Sequence, residues 1–259
     1  MTRRFYVSAG LNQATISVAG PEAHHMAHVL RCRVGDQVEL FDGRGTVALA
    51  EIETVGRHAV TLRLLHRHRF EQDETSSVIL ATAVPKGDRF RWLVEKATEL
   101  GVRRLVPLRT QRSVVVPSAG KLQKMSQTVI EACKQSGRNW LMEITPLVSW
   151  DTVVAEATAA GRLIVAHPDG QPTDAALIDS LKRAGKAPVW AAIGPEGGFT
   201  DEEIDQARQA GAVLIGLGKG TLRVETAAIA LCAWLRLSIG AGSGCQSPPV
   251  GKSASLSPD

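Results

Sequence analysis

The sequence predicts a small β-rich unit over residues 1–70, followed by an α/β unit with a mostly parallel sheet over residues 71–242. Two observations carry this expectation. Short β-rich runs, broken by turn pairs such as Gly20-Pro21 and Asp42-Gly43, fill the first unit. From Val78 onward, apolar strand-like runs alternate strictly with stretches of helical period, the pattern of a parallel sheet with crossover helices. The final stretch, 243–259, is rich in Gly, Ser and Pro without periodicity and is expected to be a disordered tail.

In the first unit the expected strands are Phe5 to Val7, Ala14 to Val18, Gln37 to Phe41, Thr46 to Glu53 and Ala59 to Leu65. Only Glu22 to Leu30 has helical character. Such a unit is a small barrel or sandwich, too small for an obvious catalytic cleft. The charged stretch from His66 to Ser77 marks the domain boundary. In the second unit Val78 to Val84 is an apolar strand. Asp88 is expected to cap a helix whose Phe90, Leu93, Val94, Ala97 and Leu100 share one face. Strand Arg104 to Leu108, helix Ser118 to Gly137, strand Glu143 to Val148 and helix Asp151 to Ala160 follow. Strand Leu163 to Ala166, helix Asp174 to Ala184, strand Val189 to Ile193 and helix Thr200 to Ala210 come next. Strand Val213 to Leu217 and a last helix from Val224 to Ile239 complete the alternation.

Composition narrows the class. The 259 residues are 44% hydrophobic and 22% charged, enough to bury a core without disulfides. The four cysteines, Cys32, Cys133, Cys232 and Cys245, form no C-x-x-C pair, so neither a zinc site nor a disulfide framework is expected. Scattered thiols fit a cytoplasmic location. No run is long enough for a signal peptide or a membrane span. The net charge of +4 is unevenly spread. Residues 86–112 carry eight Lys/Arg against three acids, and residues 1–70 carry nine against six, together with six of the seven histidines. Collected basic charge is the electrostatic footprint of a nucleic-acid binder.

In a parallel sheet, ligands gather beyond the carboxyl ends of the strands. Three such ends are glycine-rich or polar: 166–170, 194–199 and 216–220. The second is the most informative. A buried strand enters Gly194-Pro195-Glu196-Gly197-Gly198-Phe199, and Thr200 to Glu203 then reads as a capping box. Glycines let the backbone approach a ligand where a Cβ would obstruct it. No P-loop, dinucleotide fingerprint, H-E-x-x-H or G-x-S-x-G pattern is present, and His24, His25 and His28 are expected to be surface histidines. Leu222-Arg223-Val224-Glu225-Thr226 opens the very apolar helix Ala227 to Leu235. Arg223 and Glu225 there are either a local ion pair or working groups, because lone charges at a buried helix mouth are costly.

Taken together, these motifs resemble the SPOUT superfamily, and more closely its bacterial branch that methylates N3 of a uridine in 16S ribosomal RNA. The resemblance runs from Arg3-Arg4-Phe5 to about residue 240. It includes His28-Val29-Leu30-Arg31, Lys86-Gly87-Asp88-Arg89, Glu95 to Gly101, Arg112-Ser113, Gln135 to Arg138, Ile193 to Thr200, Leu217-Gly218 and Leu222-Arg223-x-Glu225-Thr226-Ala227. It implies a PUA-like β-barrel, then an α/β domain ending in a trefoil knot, with S-adenosylmethionine held among the knotted loops of a homodimer. The implied cofactor-binding residues are His167, Ile193, Gly194, Pro195, Glu196, Gly197, Gly198, Leu217, Gly218, Leu222 and Thr226. The implied RNA-binding residues are Arg3, Arg4, Arg31, Lys86, Arg89, Arg112 and Arg138, which would meet 16S ribosomal RNA or the small subunit. Leu235 is expected on the dimer interface. Three positions depart from the family pattern: Lys219-Gly220-Thr221 replaces Pro-Arg-Ile, Val224 replaces Thr and Lys134 replaces Glu.

The chemistry so implied needs no metal, because a sulfonium methyl is already electrophilic. Arg223 is the candidate for stabilising the uracil anion as N3 loses its proton. Glu225 would orient Arg223 or accept that proton. Two other functions share parts of the pattern: ribose 2′-O methylation, and a non-catalytic RNA-binding assembly factor.

Overall fold

The computed structural model describes residues 3–71, 77–183, 185 and 187–239. The expected tail, 243–259, lies outside them. In the N-terminal unit, β1 (Arg4–Tyr6), β2 (Thr15–Ala19), β3 (Gln37–Phe41), β4 (Thr46–Val55) and β5 (Ala59–Arg69) form one sheet in the order β1-β3-β4-β5-β2. Its ladders are antiparallel except β1–β3. All five strands send buried residues into one cluster that includes Phe5, Val18, Leu40, Ile52 and Leu62, so the sheet curls around its own core. Helix α1 (Gly20–His24) continues into a π-helical turn (His25–Val29), and its Ala23 and Met26 join that core.

Side chains alternate across a strand. Leu40 and Ala48 therefore face the N-terminal core, while their neighbours Phe41 and Val47 face away and enter the core of the second unit. The two units are fused rather than loosely tethered. Arg44 bridges to Trp140, Gly45 N–H donates to Asn139 O at 2.9 Å and Leu141 N–H donates to Gly43 O at 3.0 Å. The strand expected over Ala59 to Leu65 is longer, because β5 runs on to Arg69 under the pairing of Thr46 to Leu49.

Among the described residues the second unit has seven strands, all paired in parallel. They are β6 (Val78–Ala83), β7 (Arg104–Arg109), β8 (Glu143–Ile144), β9 (Val148–Ser149), β10 (Arg162–Gln171), β11 (Val189–Ile193) and β12 (Val213–Ile215), in the order β12-β10-β11-β6-β7-β8 with β9 also on β7. The helices are α2 (Arg89–Glu99), α3 (Ala119–Ser136), α4 (Trp150–Ala160), α5 (Ala175–Arg183), α6 (Asp201–Gln209) and α7 (Val224–Ile239). Core clusters lie on both faces of this sheet. The fully buried β6 and β11 explain why their sequences read as unbroken apolar runs.

Four expectations change. The single strand over 143–148 is two short ones, since Pro146 has no N–H to continue the ladder. Asp88 does not cap α2 through its side chain; its own backbone is already helical (φ −74°, ψ −11°), whereas a capping residue is normally extended. The 166–170 stretch is not a free loop but a bulge, because Ala166 and Gln171 both pair with Ile215. Leu235 is fully buried within the chain, and the large apolar residue that α7 exposes is Leu237, 79% exposed.

Candidate active site

Strands β12, β10 and β11 are neighbours, so their carboxyl ends stand side by side. After β11, Gly198 N–H donates to Pro195 O at 2.8 Å, closing a tight turn. Gly198 has φ +71°, a left-handed conformation that favours glycine. Phe199 drops into the core with its ring 4.6 Å from that of Trp150. The capping box forms as expected: Thr200 Oγ1 accepts from Glu203 N–H, and Glu203 Oε2 accepts from Thr200 N–H at 2.9 Å. The Glu202 carboxyl is held below the usual carboxylate range, first by its own backbone N–H and then by the Thr200 hydroxyl.

The bulge in β10 brings Gly170 against β12. A Cβ there would lie 2.2 Å from Ile215 C and 2.5 Å from Gly216 N, so only glycine lets these two backbones touch. Gly216 N–H donates to Gln171 O at 3.0 Å, and Asp169 N–H donates to Nδ1 of the half-buried His167 at 3.2 Å. From Gly216 the chain turns back, and α7 packs on β6, β11 and α2.

Backbone donors are left over on two of these loops. The N–H groups of Glu196, Gly197 and Phe199, and those of Leu217 to Arg223, donate to no acceptor among the described residues. Phe199 is buried and Leu217 half-buried, where donors normally find partners; the other residues are exposed. Side by side on neighbouring loops, they form a surface suited to a ligand rich in acceptors. Gly218, at φ +107°, has no atom within 4 Å of where a Cβ would stand. Of the expected cofactor set, His167, Ile193 to Gly198, Leu217 and Gly218 gather around these strand ends, and Leu222 and Thr226 line the adjoining cleft.

That cleft, about 500 Å³, is lined by Arg89, Trp92, Thr221, Leu222, Arg223, Glu225 and Thr226. Glu225 is 7% exposed. Its partner is not Arg223: Oε1 lies 3.6 Å from Nη1 of Arg89, and Oε2 is shut from solvent without a hydrogen-bond partner. Arg89 reaches from α2 and also approaches Glu196 at 3.9 Å, so it joins the glycine loop to the start of α7. Arg223 is exposed; its carbonyl accepts from Ala227 N–H at 2.9 Å, and its side chain makes no hydrogen bond or ion pair among the described residues. A local Arg223–Glu225 pair is therefore ruled out as the reason for these charges.

The residues expected on RNA divide into two groups. Arg3, Arg31 and Lys86 are exposed, Arg31 with φ +50°. Arg4 and Arg138 are instead structural. Arg4 donates to Arg138 O at 2.7 Å and to Asn139 Oδ1, pairs with Glu39 at 3.3 Å and lies 4.4 Å over the Phe41 ring. Arg138 donates to the carbonyls of Thr98 and Val102. Burial pulls both guanidinium groups below the ordinary arginine range and pushes the neighbouring Cys133 thiol up. Arg89 faces Glu225, and Arg112, though exposed, donates from Nη1 to Gly197 O at 2.9 Å and Phe199 O at 3.1 Å. Lys134, the departure from the family pattern, pairs with Glu22 at 3.1 Å and ties α3 to α1. Sequence reasoning missed Trp92, 43% exposed in the cleft. The available signal was its place off the apolar face of α2.

A family model described as an RNA methyltransferase domain matches residues 72–236, and one described as an RNA methyltransferase PUA domain matches residues 18–65. The ribosomal RNA small subunit methyltransferase E of Synechocystis is 31% identical over 217 residues, covering 83% of this chain and 70% of that protein. The protein of the same name from Bacillus subtilis is 28% identical over 222 residues, covering 82% and 86%. Among solved structures, a Legionella pneumophila methyltransferase with bound S-adenosylmethionine superposes with a TM-score of 0.80 at 30% identity, covering 92% of this chain and 98% of that one. The small subunit methyltransferase E of Neisseria gonorrhoeae, bound to S-adenosylmethionine, gives 0.79 at 27% identity over 92% and 98%. With its parallel-sheet domain, its curled N-terminal sheet and these matches along most of its length, the chain belongs to the RNA methyltransferase family and carries that family's PUA domain.

Proposed function

We propose that this protein is an S-adenosylmethionine-dependent methyltransferase acting on N3 of a uridine in 16S ribosomal RNA. The observation that carries the reading is the free Arg223 and buried Glu225 in a cleft beside loops whose backbone donors are unspent. Those donors fit S-adenosylmethionine, whose adenine ring nitrogens and carboxylate are acceptors. Its relatives are named small subunit ribosomal RNA methyltransferases, and two structural neighbours hold this compound. When bound, it supplies an electrophilic methyl group.

This chain's residues then have two tasks. The uracil must be unstacked and held with N3 in line with the methyl carbon, a matter of positioning. The Arg223 side chain, with no partner among the described residues, is free to meet the uracil carbonyls and stabilise the anion as N3 deprotonates. Glu225 pairs with Arg89 rather than Arg223, which favours proton acceptance, directly or through water, over orienting Arg223.

Residues 1–70 serve as the RNA-binding PUA-like unit and 71–242 as the catalytic domain. Arg3, Arg31 and Lys86 supply phosphate contacts. The working form is a homodimer, supported by an α7 that is apolar on most sides yet leaves Leu237 exposed. A ribosomal RNA substrate goes with a cytoplasmic location. Among the described residues no helix is long and apolar enough to cross a membrane.

The test is nucleoside mass spectrometry of 16S RNA incubated with the protein and S-adenosylmethionine. N3-methyluridine is the expected product. A 2′-O-methylated ribose would place the enzyme in a different methylation class, and no product with no donor heat in calorimetry would make it a binding factor.

A further inference from the structure

The segment after β7 reaches over to the glycine loop and grips it from outside. Thr110 N–H donates to Ser113 Oγ at 2.9 Å and Ser113 N–H to Thr110 O at 3.2 Å, forming a tight turn. Gln111 N–H, within that turn, donates to Glu203 Oε1 at 2.8 Å. Glu203 is buried, and its other oxygen takes Thr200 N–H. The turn is thereby fixed to the start of α6, and it presents Arg112 to the loop. The stem of Arg112 lies 3.5 Å from where a Gly197 Cβ would stand, and its guanidinium takes the carbonyls of both Gly197 and Phe199.

The consequence concerns peptide planes. The C=O and N–H of one peptide unit are locked in a single plane. The unit joining Gly197 to Gly198 is bonded at both ends, to Arg112 and to Pro195 O. The unit joining Phe199 to Thr200 is also bonded at both ends, to Arg112 and to Glu203. Between and before them lie the unspent N–H groups of Phe199, Gly197 and Glu196. A loop with three glycines would otherwise sample many orientations of those donors, because glycine is the least restricted residue.

We propose that Arg112 is a positioning residue for the methyl donor: it fixes the glycine loop so that the free N–H groups are aimed before S-adenosylmethionine arrives. Preorganisation raises affinity by removing an ordering cost from the binding step. The guanidinium suits the task because a single nitrogen, Nη1, holds both carbonyls, and its two N–H bonds lie fixed in the guanidinium plane. The proposal rests on the donor-binding function above and adds a residue to it.

Calorimetry with S-adenosylmethionine on the full chain tests it, comparing Arg112→Ala and Arg112→Lys with the wild type. Arg112→Ala is expected to weaken donor binding by at least about tenfold, equivalent to about 1.4 kcal/mol. Arg112→Lys, which keeps a cation but loses the in-plane donor pair of Nη1, should fall between, and added guanidinium ion should recover part of the Arg112→Ala loss. The donor KM should rise while the salt dependence of RNA binding keeps its wild-type slope. Wild-type donor affinity in a folded Arg112→Ala protein, or a flattened RNA salt slope with donor binding intact, overturns the proposal and returns Arg112 to the RNA face. Failure of the underlying function looks different: the wild type itself would then give no donor heat, and both readings fall together.

Discussion

Replacing Gly170 by Ala should open the contact between β10 and β12 on which two of the three loops depend. The added Cβ would sit 2.2 Å from Ile215 C, 2.5 Å from Gly216 N and 2.5 Å from Ile215 Cα. Carbon atoms in contact lie about 3.5–4.0 Å apart, so one strand end must move by more than about 1 Å. All three obstructing atoms belong to backbone, so no side-chain rotation relieves the clash. The Gly216 N–H bond to Gln171 O, at 3.0 Å, spans the same contact and is the first to break. Overpacking of this kind costs roughly 1–3 kcal/mol or more, and losing the hydrogen bond adds about 1 kcal/mol. In a chain of this size that lowers Tm by about 5–12 °C. Donor binding should weaken by at least about tenfold, because the loops after β10 and β12 lose their common register. Gly120→Ala is the control: it lies at the start of α3 with nothing within 4 Å of its Cβ position, so stability should hold or rise slightly. Differential scanning fluorimetry and donor calorimetry read both variants. A Gly170→Ala protein with wild-type Tm and affinity would refute the reasoning.

Arg223→Ala should cut the methylation rate by at least about tenfold, roughly 1.4 kcal/mol of barrier, with donor affinity nearly intact; a fully active variant removes Arg223 from charge stabilisation. Leu237→Asp should yield monomer in analytical ultracentrifugation and lose activity, whereas an active monomer would sink the homodimer. Burial pushes the Cys232 thiol up to about 12. Burial disfavours the charged thiolate, so at pH 8 only about one molecule in ten thousand carries it. In a Cys245→Ser background, native protein should therefore not react with a thiol reagent at pH 8, and unfolding should release reactivity; rapid native labelling mapped to Cys232 by mass spectrometry would contradict its burial.

The order of elements was legible in the chain because hydrophobic periodicity is local. β3, β11 and α7 have the observed bounds of their expected segments, and Thr200 to Glu203 form the expected capping box. The glycine loop was legible for the same reason: consecutive glycines at a strand end are visible in sequence. The partners of charged groups were not. Arg4 and Arg138 counted as basic surface until the junction of the two units took them inside, more than a hundred residues apart from their contacts in one case. Glu225 stands two residues from Arg223 yet pairs with Arg89, because the first turn of α7 is laid against α2 by the packing of those helices. The 166–170 stretch looked like a loop, and only the approach of β12 at Gly170 made it a bulge. Local spacing determines which residues form strands and helices. Which charges meet, and which backbone donors stay free for a ligand, depends on segments distant in sequence that only the packed sheet brings within hydrogen-bonding range.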